Sequence, residues 1–140
     1  SYAFSHNGEF IFYIFLKDDS SYSLKKMDAL TGKEEEVLDL GSNEALKLFM
    51  SPDGKGAIYM RQSKTESTLV HVDLKTLQMV DLHTTDKNSF TVLSWADDSF
   101  YLEARDPVLK KYCLYKFKLN DNVWQYFSDG NGNKIEIQRI

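Results

Sequence analysis

Three histidines, a single cysteine and several paired carboxylates are the side chains that first suggest catalysis or metal binding. A helical zinc site needs ligands at i and i+4, and none of His6, His71 or His83 has such a partner. His6 stands in a turn, His71 lies between Val70 and Val72 on an alternating stretch, and His83 is expected near a strand end. Cys113 is the sole thiol, which rules out an internal disulfide and a cysteine-based zinc site. Its neighbours in Tyr112-Cys113-Leu114-Tyr115 make it a buried structural thiol, and a Cys–His nucleophile pair would need a distant histidine to converge on it. Asp18-Asp19 and Asp97-Asp98 are adjacent pairs; in a strand such side chains point to opposite faces, and in a turn they are solvated. Asp129-Gly130-Asn131-Gly132-Asn133 alternates oxygen-bearing side chains as a calcium loop does. Its sixth position, however, is Lys134 and its twelfth Ile140, so the run reads as a glycine-rich hairpin turn. There is no Gly-x-Ser-x-Gly elbow and no phosphate-binding glycine loop. These residues predict no catalytic group, no metal and no cofactor.

The elements that carry them repeat. Phe4-Ser5-His6-Asn7-Gly8, Met50-Ser51-Pro52-Asp53-Gly54 and Trp95-Ala96-Asp97-Asp98-Ser99 each lead into an apolar strand, at spacings of 46 and 45 residues. Leu24, Leu69 and Leu114 recur every 45 residues, as do Met27, Val72 and Phe117. Within a copy, the first motif is a hairpin turn: Pro presets φ, Asp or Asn binds its own backbone, and Gly accepts positive φ. The strand that follows is a nearly continuous apolar run, clearest in Phe10 to Leu16, as expected for burial on both faces. A polar connector (17–21, 62–67), an alternating strand, a second turn (28–33, 73–77, 119–123) and a more polar strand complete the copy. Four antiparallel strands in about 45 residues is the size of a propeller blade. Ser42 to Met50 has partly helical spacing, yet the repeat makes Leu46 to Met50 the first strand of a copy. The expectation is an all-β chain of three four-stranded blade repeats, at about 1–45, 46–90 and 91–140, in one domain.

At these residues the chain resembles the TolB-type (WD-repeat-like) β-propeller repeat, whose hallmark is an aromatic or apolar residue, Ser-Pro-Asp-Gly and a buried strand. Met50 to Gly54 matches well, with Met in the usual aromatic place; Phe4 to Gly8 matches loosely; Trp95 to Ser99 keeps the Trp and loses Pro and Gly. The resemblance covers nearly the whole chain. It implies a propeller fold and one of three settings: a periplasmic scaffold protein, the gating propeller of a prolyl-oligopeptidase-like hydrolase, or the extracytoplasmic part of a membrane-bound regulator. Fold alone does not choose among them.

Propellers close with about four to eight blades, so three need completion. Lys134 to Ile140 alternates like a strand, and one further period from Trp95 falls on Ile140. That segment is expected to be the first strand of another blade. Two chains closing a six-bladed ring by exchanging it, an excerpt from a longer propeller, and closure within one chain all follow from this reading. With 42% hydrophobic and 14% aromatic residues the chain can build a core, and a net charge of −4 disfavours nucleic acid as a partner. Lys25-Lys26 and Lys110-Lys111 read as solvated strand edges. The longest apolar run, Phe10 to Leu16, is far short of the ~20 residues of a spanning helix, so this segment is not expected to insert in a membrane. The expected function is a non-catalytic interaction or sensory module outside the cytoplasm, with a protein partner, a second copy or further blades among its contacts. Propeller function usually lives in the loops, which selects Asp18, Asp19, Lys64, Glu66, Asp97 and Asp98. Trp95 and Trp124 offer a glycan-binding alternative, although Trp95 holds the hallmark core position.

Overall fold

The computed structural model describes residues 1–140 except 6, 87–89, 97, 107, 120–122 and 138–140, and only the backbone of 123 and 124. Among the described residues, twelve strands form three four-stranded meanders in which every neighbouring pair is antiparallel. Sheet I contains β1 (Tyr2–Phe4), β2 (Phe10–Leu16), β3 (Tyr22–Asp28) and β4 (Glu34–Gly41). Sheet II contains β5 (Glu44–Met50), β6 (Gly56–Gln62), β7 (Glu66–Asp73) and β8 (Met79–Asp86). Sheet III contains β9 (Phe90–Ala96), β10 (Ser99–Arg105), β11 (Tyr112–Lys118) and β12 (Val123–Tyr126). The chain forms two compact units, Ser1–Lys87 with sheets I and II, and Asn88–Ile140 with sheet III.

Hydrogen bonds explain the repeated turn. Ser5 Oγ donates to Asn7 Oδ1 (2.9 Å) and accepts the Phe10 amide (3.0 Å), while Asn7 Oδ1 accepts the Glu9 amide (3.0 Å). Ser51 and Asp53 rebuild the same network, with Ser51 Oγ to Asp53 Oδ1 at 2.6 Å and the Gly56 and Lys55 amides at 3.0 and 2.9 Å. Gly8 and Gly54 both stand at φ 73°, where a side chain would be strained. Sheet III has Ala96 in place of the serine. Its first hairpin is closed by the pairing of Ala96 with Ser99. Trp95 still pairs with Phe100 as Phe4 pairs with Ile11 and Met50 with Ala57, so the hallmark apolar position is conserved in register across the repeats.

The second turn has its own device. Asp28 Oδ1 accepts the amides of Leu30 and Thr31 (both 2.9 Å), and Asp73 Oδ1 those of Lys75 and Thr76 (2.8 and 3.0 Å). Each loop then closes through a left-handed residue, Gly32 in one and Leu77 in the other.

One core joins Phe12, Leu24 and Leu40 of sheet I to Ala45, Leu48, Ala57, Tyr59, Val70 and Val72 of sheet II. In the second unit Phe90, Val92, Phe100, Leu102, Cys113 and Phe117 are buried, and the Phe100 and Phe117 rings stack at 5.9 Å with 6° between their planes.

Three sequence expectations are corrected, and one is explained. Burial on both faces belongs to β6, not β2: Phe10, Phe12 and Ile14 face the core, while Phe15 and Leu16 are 41% and 55% exposed. The strand expected over Leu46 to Met50 is present as part of β5, and a β-bulge inside it accounts for the partly helical spacing. Lys47 takes φ 58° and the pairing slips between Leu46 and Phe49, which shifts the side-chain phase within β5. His83 lies inside β8 opposite Leu69, not near a strand end. Finally, Lys134 to Ile137 does not begin a further blade. β12 ends at Tyr126, and Phe127 donates its amide to Leu114 O (3.1 Å). The chain then makes a hairpin excursion, with Ser128 bridged to Lys134. It returns to the same edge of β11, where Leu114 donates to Ile135 O (3.0 Å), Glu136 pairs with Cys113 and Ile137 donates to Tyr112 O (2.8 Å). The repeat period is blind to an insertion inside the fourth strand, which is why the spacing from Trp95 misplaced this segment. Ile140 itself lies outside the described residues. With β1 also paired in its own sheet, exchange of a C-terminal strand is not needed to complete the first blade.

Candidate interaction surface

Four of the six loop residues singled out in the sequence occupy equivalent connectors. Asp18 and Asp19 lie between β2 and β3; Lys64 lies between β6 and β7, and Glu66 opens β7. The carboxylate of Asp19 is engaged by its own turn, accepting the hydroxyl (2.6 Å) and amide (3.0 Å) of Ser21, and these donors hold it below the usual carboxylate range. Nearby, Lys17 Nζ reaches Glu36 (3.3 Å) and Asp39 (3.5 Å). The Gly41 amide, followed by Lys17, lowers the Asp39 carboxyl. Lys64 and Glu66 are exposed on a turn held by Ser63, whose Oγ accepts the Thr65 and Glu66 amides (3.3 and 3.0 Å). Asp98 sits at the opposite end of its own sheet, in the β9–β10 turn, where its carboxylate accepts the Ser99 hydroxyl (3.0 Å). Asp97 lies outside the described residues, as does His6. Within the shared blade plan, the connector group follows the second strand of its sheet, whereas Asp98 follows the first.

His71 and His83 are partly buried, and burial lowers the pKa of both. Burial likewise raises the Cys113 thiol, as expected for a structural cysteine rather than a nucleophile. Asp129 spends its carboxylate on the amides of Asn131 (2.8 Å) and Asn133 (3.0 Å), so the calcium-like run is a self-capped hairpin. Among the described residues no group of three or more His, Cys, Asp or Glu is placed to hold a metal ion. Trp95 is half-buried and packs edge-on against Phe100 (4.5 Å), and the Trp124 side chain is outside the described atoms.

Three features escaped the sequence reading. The first is a cleft of about 390 Å³ at the turn end of the first unit. Phe10, Phe12, Val37 and Leu74 give it apolar walls; Asn7, Asp53 and Lys26 add polar groups. Lys26 Nζ lies 4.8 Å over the Phe10 ring and 3.0 Å from Glu35. This arrangement can hold a compact apolar group with a cation at its rim. The second is the outer face of sheet I, where Tyr2, Phe4 and Phe15 are exposed. There Tyr13 donates to Glu34 (2.5 Å), and burial together with this acceptor pushes its phenol up to about 12.

The third is a buried clamp in the second unit. Asp106 is wholly buried and accepts the amides of Val108 (2.9 Å) and Leu109 (2.8 Å), the Tyr115 hydroxyl (3.0 Å) and the Lys134 ammonium. Lys134, first among these donors, holds the carboxyl far below its usual range. The ammonium also lies over Tyr126 (4.9 Å) and pins the 128–134 excursion to the β10–β11 loop. A signal was present in the sequence: Asp106 to Lys111 repeats the pattern of Asp28 to Lys33, with an aspartate, two capped amides and a left-handed fifth residue, Lys110.

No family model matches the chain, and no curated relative matches it. Solved structures do. TolB from Acinetobacter baumannii superposes with a TM-score of 0.64 at 17% identity over 97% of this chain and 31% of its own. The β-propeller domain of the Trilobed protease from Pyrococcus furiosus gives 0.59 at 12% over 99% and 42%. Acylaminoacyl peptidase from Pyrococcus horikoshii gives 0.64 at 14% over 89% and 24%. The fold is therefore that of TolB-type β-propeller blades, and the chain spans between about a quarter and two fifths of these neighbours' lengths.

Proposed function

We propose that these blades form a non-catalytic module that recognises a protein partner, outside the cytoplasm, as a scaffold or as the sensory part of a larger protein. The observation that carries the reading is the cleft at the turn end of sheets I and II. Its walls are apolar, and its polar groups serve the fold: Asp53 caps its own turn and Lys26 is paired with Glu35. Such a site suits the side chain of a docked polypeptide better than a reacting bond. Screening the chain against a displayed peptide library and measuring binders by calorimetry tests this. Binders that lose affinity tenfold or more in Val37→Asp, and keep it in Glu66→Ala, support the cleft. Binders indifferent to Val37→Asp refute it. The TolB-type fold favours an extracytoplasmic setting; fusion of the protein to a reporter active only outside the cytoplasm, with an inactive reporter as the contrary result, tests that part.

The likeness to propellers of peptidases favours a second reading, in which these blades gate access to a hydrolase domain encoded with them. A Gly-x-Ser-x-Gly segment in the same polypeptide would select that reading over the first.

A further inference from the structure

The repeat makes positions in sheets I and II equivalent, and the hydrogen-bond register fixes which. Ile11, Tyr13 and Met27 correspond to Ala57, Tyr59 and Val72; Tyr2 and Phe4 correspond to Leu48 and Met50. In sheet II this set faces sheet I, with Ala57, Tyr59 and Val72 no more than 1% exposed. In sheet I the same set faces outward. Tyr2 is 68% and Phe4 59% exposed, Ile11, Tyr13 and Met27 are partly exposed, and the Lys25 ammonium rests over the Phe15 ring at 4.4 Å. Sheet I thus presents on its outer side the kind of surface that sheet II buries against a blade.

We propose that this outer face of sheet I is the seat of a blade from a second copy of the chain. Complementarity follows from the repeat, because a surface of this kind already packs against a blade face of the same sequence family. Area argues for a reciprocal pair. Strands of three, seven, seven and eight residues, spaced ~4.8 Å apart and rising ~3.3 Å per residue, cover roughly 400 Å². A stable interface buries about 800 Å² per partner, so one such face falls short, whereas two reciprocal contacts reach it. In that pair each copy offers this face and covers the partner's with a sheet other than its own sheet I, giving a closed two-fold assembly.

Light scattering coupled to size exclusion, over a hundredfold range of concentration, tests the proposal. The expected mass is twice the 16.2 kDa of the chain. The variant Phe4→Glu/Phe15→Glu is expected at single-chain mass with an unchanged far-ultraviolet dichroism spectrum, while Leu30→Glu, at an exposed turn off this face, stays paired. If the double variant does not fold, carbene footprinting of the unaltered protein replaces it: labelling of Tyr2 and Phe4 should fall at least threefold as the pair forms. A single-chain mass at every concentration overturns the proposal and leaves the face to a different partner or to another blade of a longer polypeptide. A ladder of larger masses, a paired double variant or constant labelling overturns it as well.

Discussion

Removing either stacked ring of sheet III should reveal how much of its stability rests on one aromatic pair. Phe100 and Phe117 are fully buried and lie parallel at 5.9 Å, with Trp95 edge-on to Phe100. Truncating a buried Phe to Ala costs about 3–5 kcal/mol through lost transfer energy and the cavity left behind. With a urea slope of about 2 kcal/mol per molar, each of Phe100→Ala and Phe117→Ala lowers the unfolding midpoint by roughly 2 M. The two losses are not independent, because the second truncation enlarges a cavity the first has opened and the ring–ring contact can be lost only once. The double variant should therefore cost about 0.5–1.5 kcal/mol less than the sum of the singles. Leu93→Ala, at a 47% exposed position one residue from buried Val92, should change stability by less than about 1 kcal/mol. A single truncation costing under about 1 kcal/mol, or a double equal to the full sum, would refute the reasoning.

Acid should unfold the protein in two separable stages. Burial lowers the pKa of His71 and His83, so the unfolded chain takes their protons first; stability present above about pH 6.5 is lost as pH falls below it. His83→Asn should flatten the fall in melting temperature between pH 7 and 5, and an unchanged slope contradicts this. Asp106 is held low by Lys134, so its contribution is present above about pH 4 and disappears as pH falls below that value; Lys134→Met should weaken this second stage, read by dichroism between pH 4 and 2. Left-handed backbone predicts opposite signs at equivalent turns: Gly32→Ala at φ 72° should cost about 1 kcal/mol, whereas Leu77→Gly at φ 61° should leave the melting temperature unchanged or raised. Ser23 Oγ is buried and finds no protein partner, so Ser23→Ala should be neutral or slightly stabilising in the same melts; a clear loss would show that the hydroxyl is used.

Turn chemistry and strand period carried the fold. Ser-x-Asx-Gly encodes a closed local network, and apolar alternation encodes pleated strands, so both are readable from neighbouring residues. Features that depend on distant chain were not. Lys134 meets Asp106 across 28 positions, and nothing near either residue announces the pairing. The excursion at 128–134 broke the period on which the reading of the C-terminal segment relied. Which face of sheet I meets the core depends on its packing with sheet II, and the apolar run in β2 is equally compatible with one buried face or two. The chosen loop acids illustrate a further limit: Asp19 looks available in sequence, yet local hydrogen bonds already occupy it.

The excursion in the outer strand of sheet III also bears on how such blades diversify. Its two stems are bridged at Ser128 and Lys134, and the strand resumes on β11 in continuing order, with Phe127 and Ile135 both bonded to Leu114. Everything between the stems is therefore outside the ladder. An epitope, a fluorescent reporter or an entire folded domain whose ends lie about 5 Å apart matches the spacing of such a bridge and can be grafted there without disturbing the pairing. The edge of this blade is a natural splice point, where new recognition elements are added while the scaffold keeps its register.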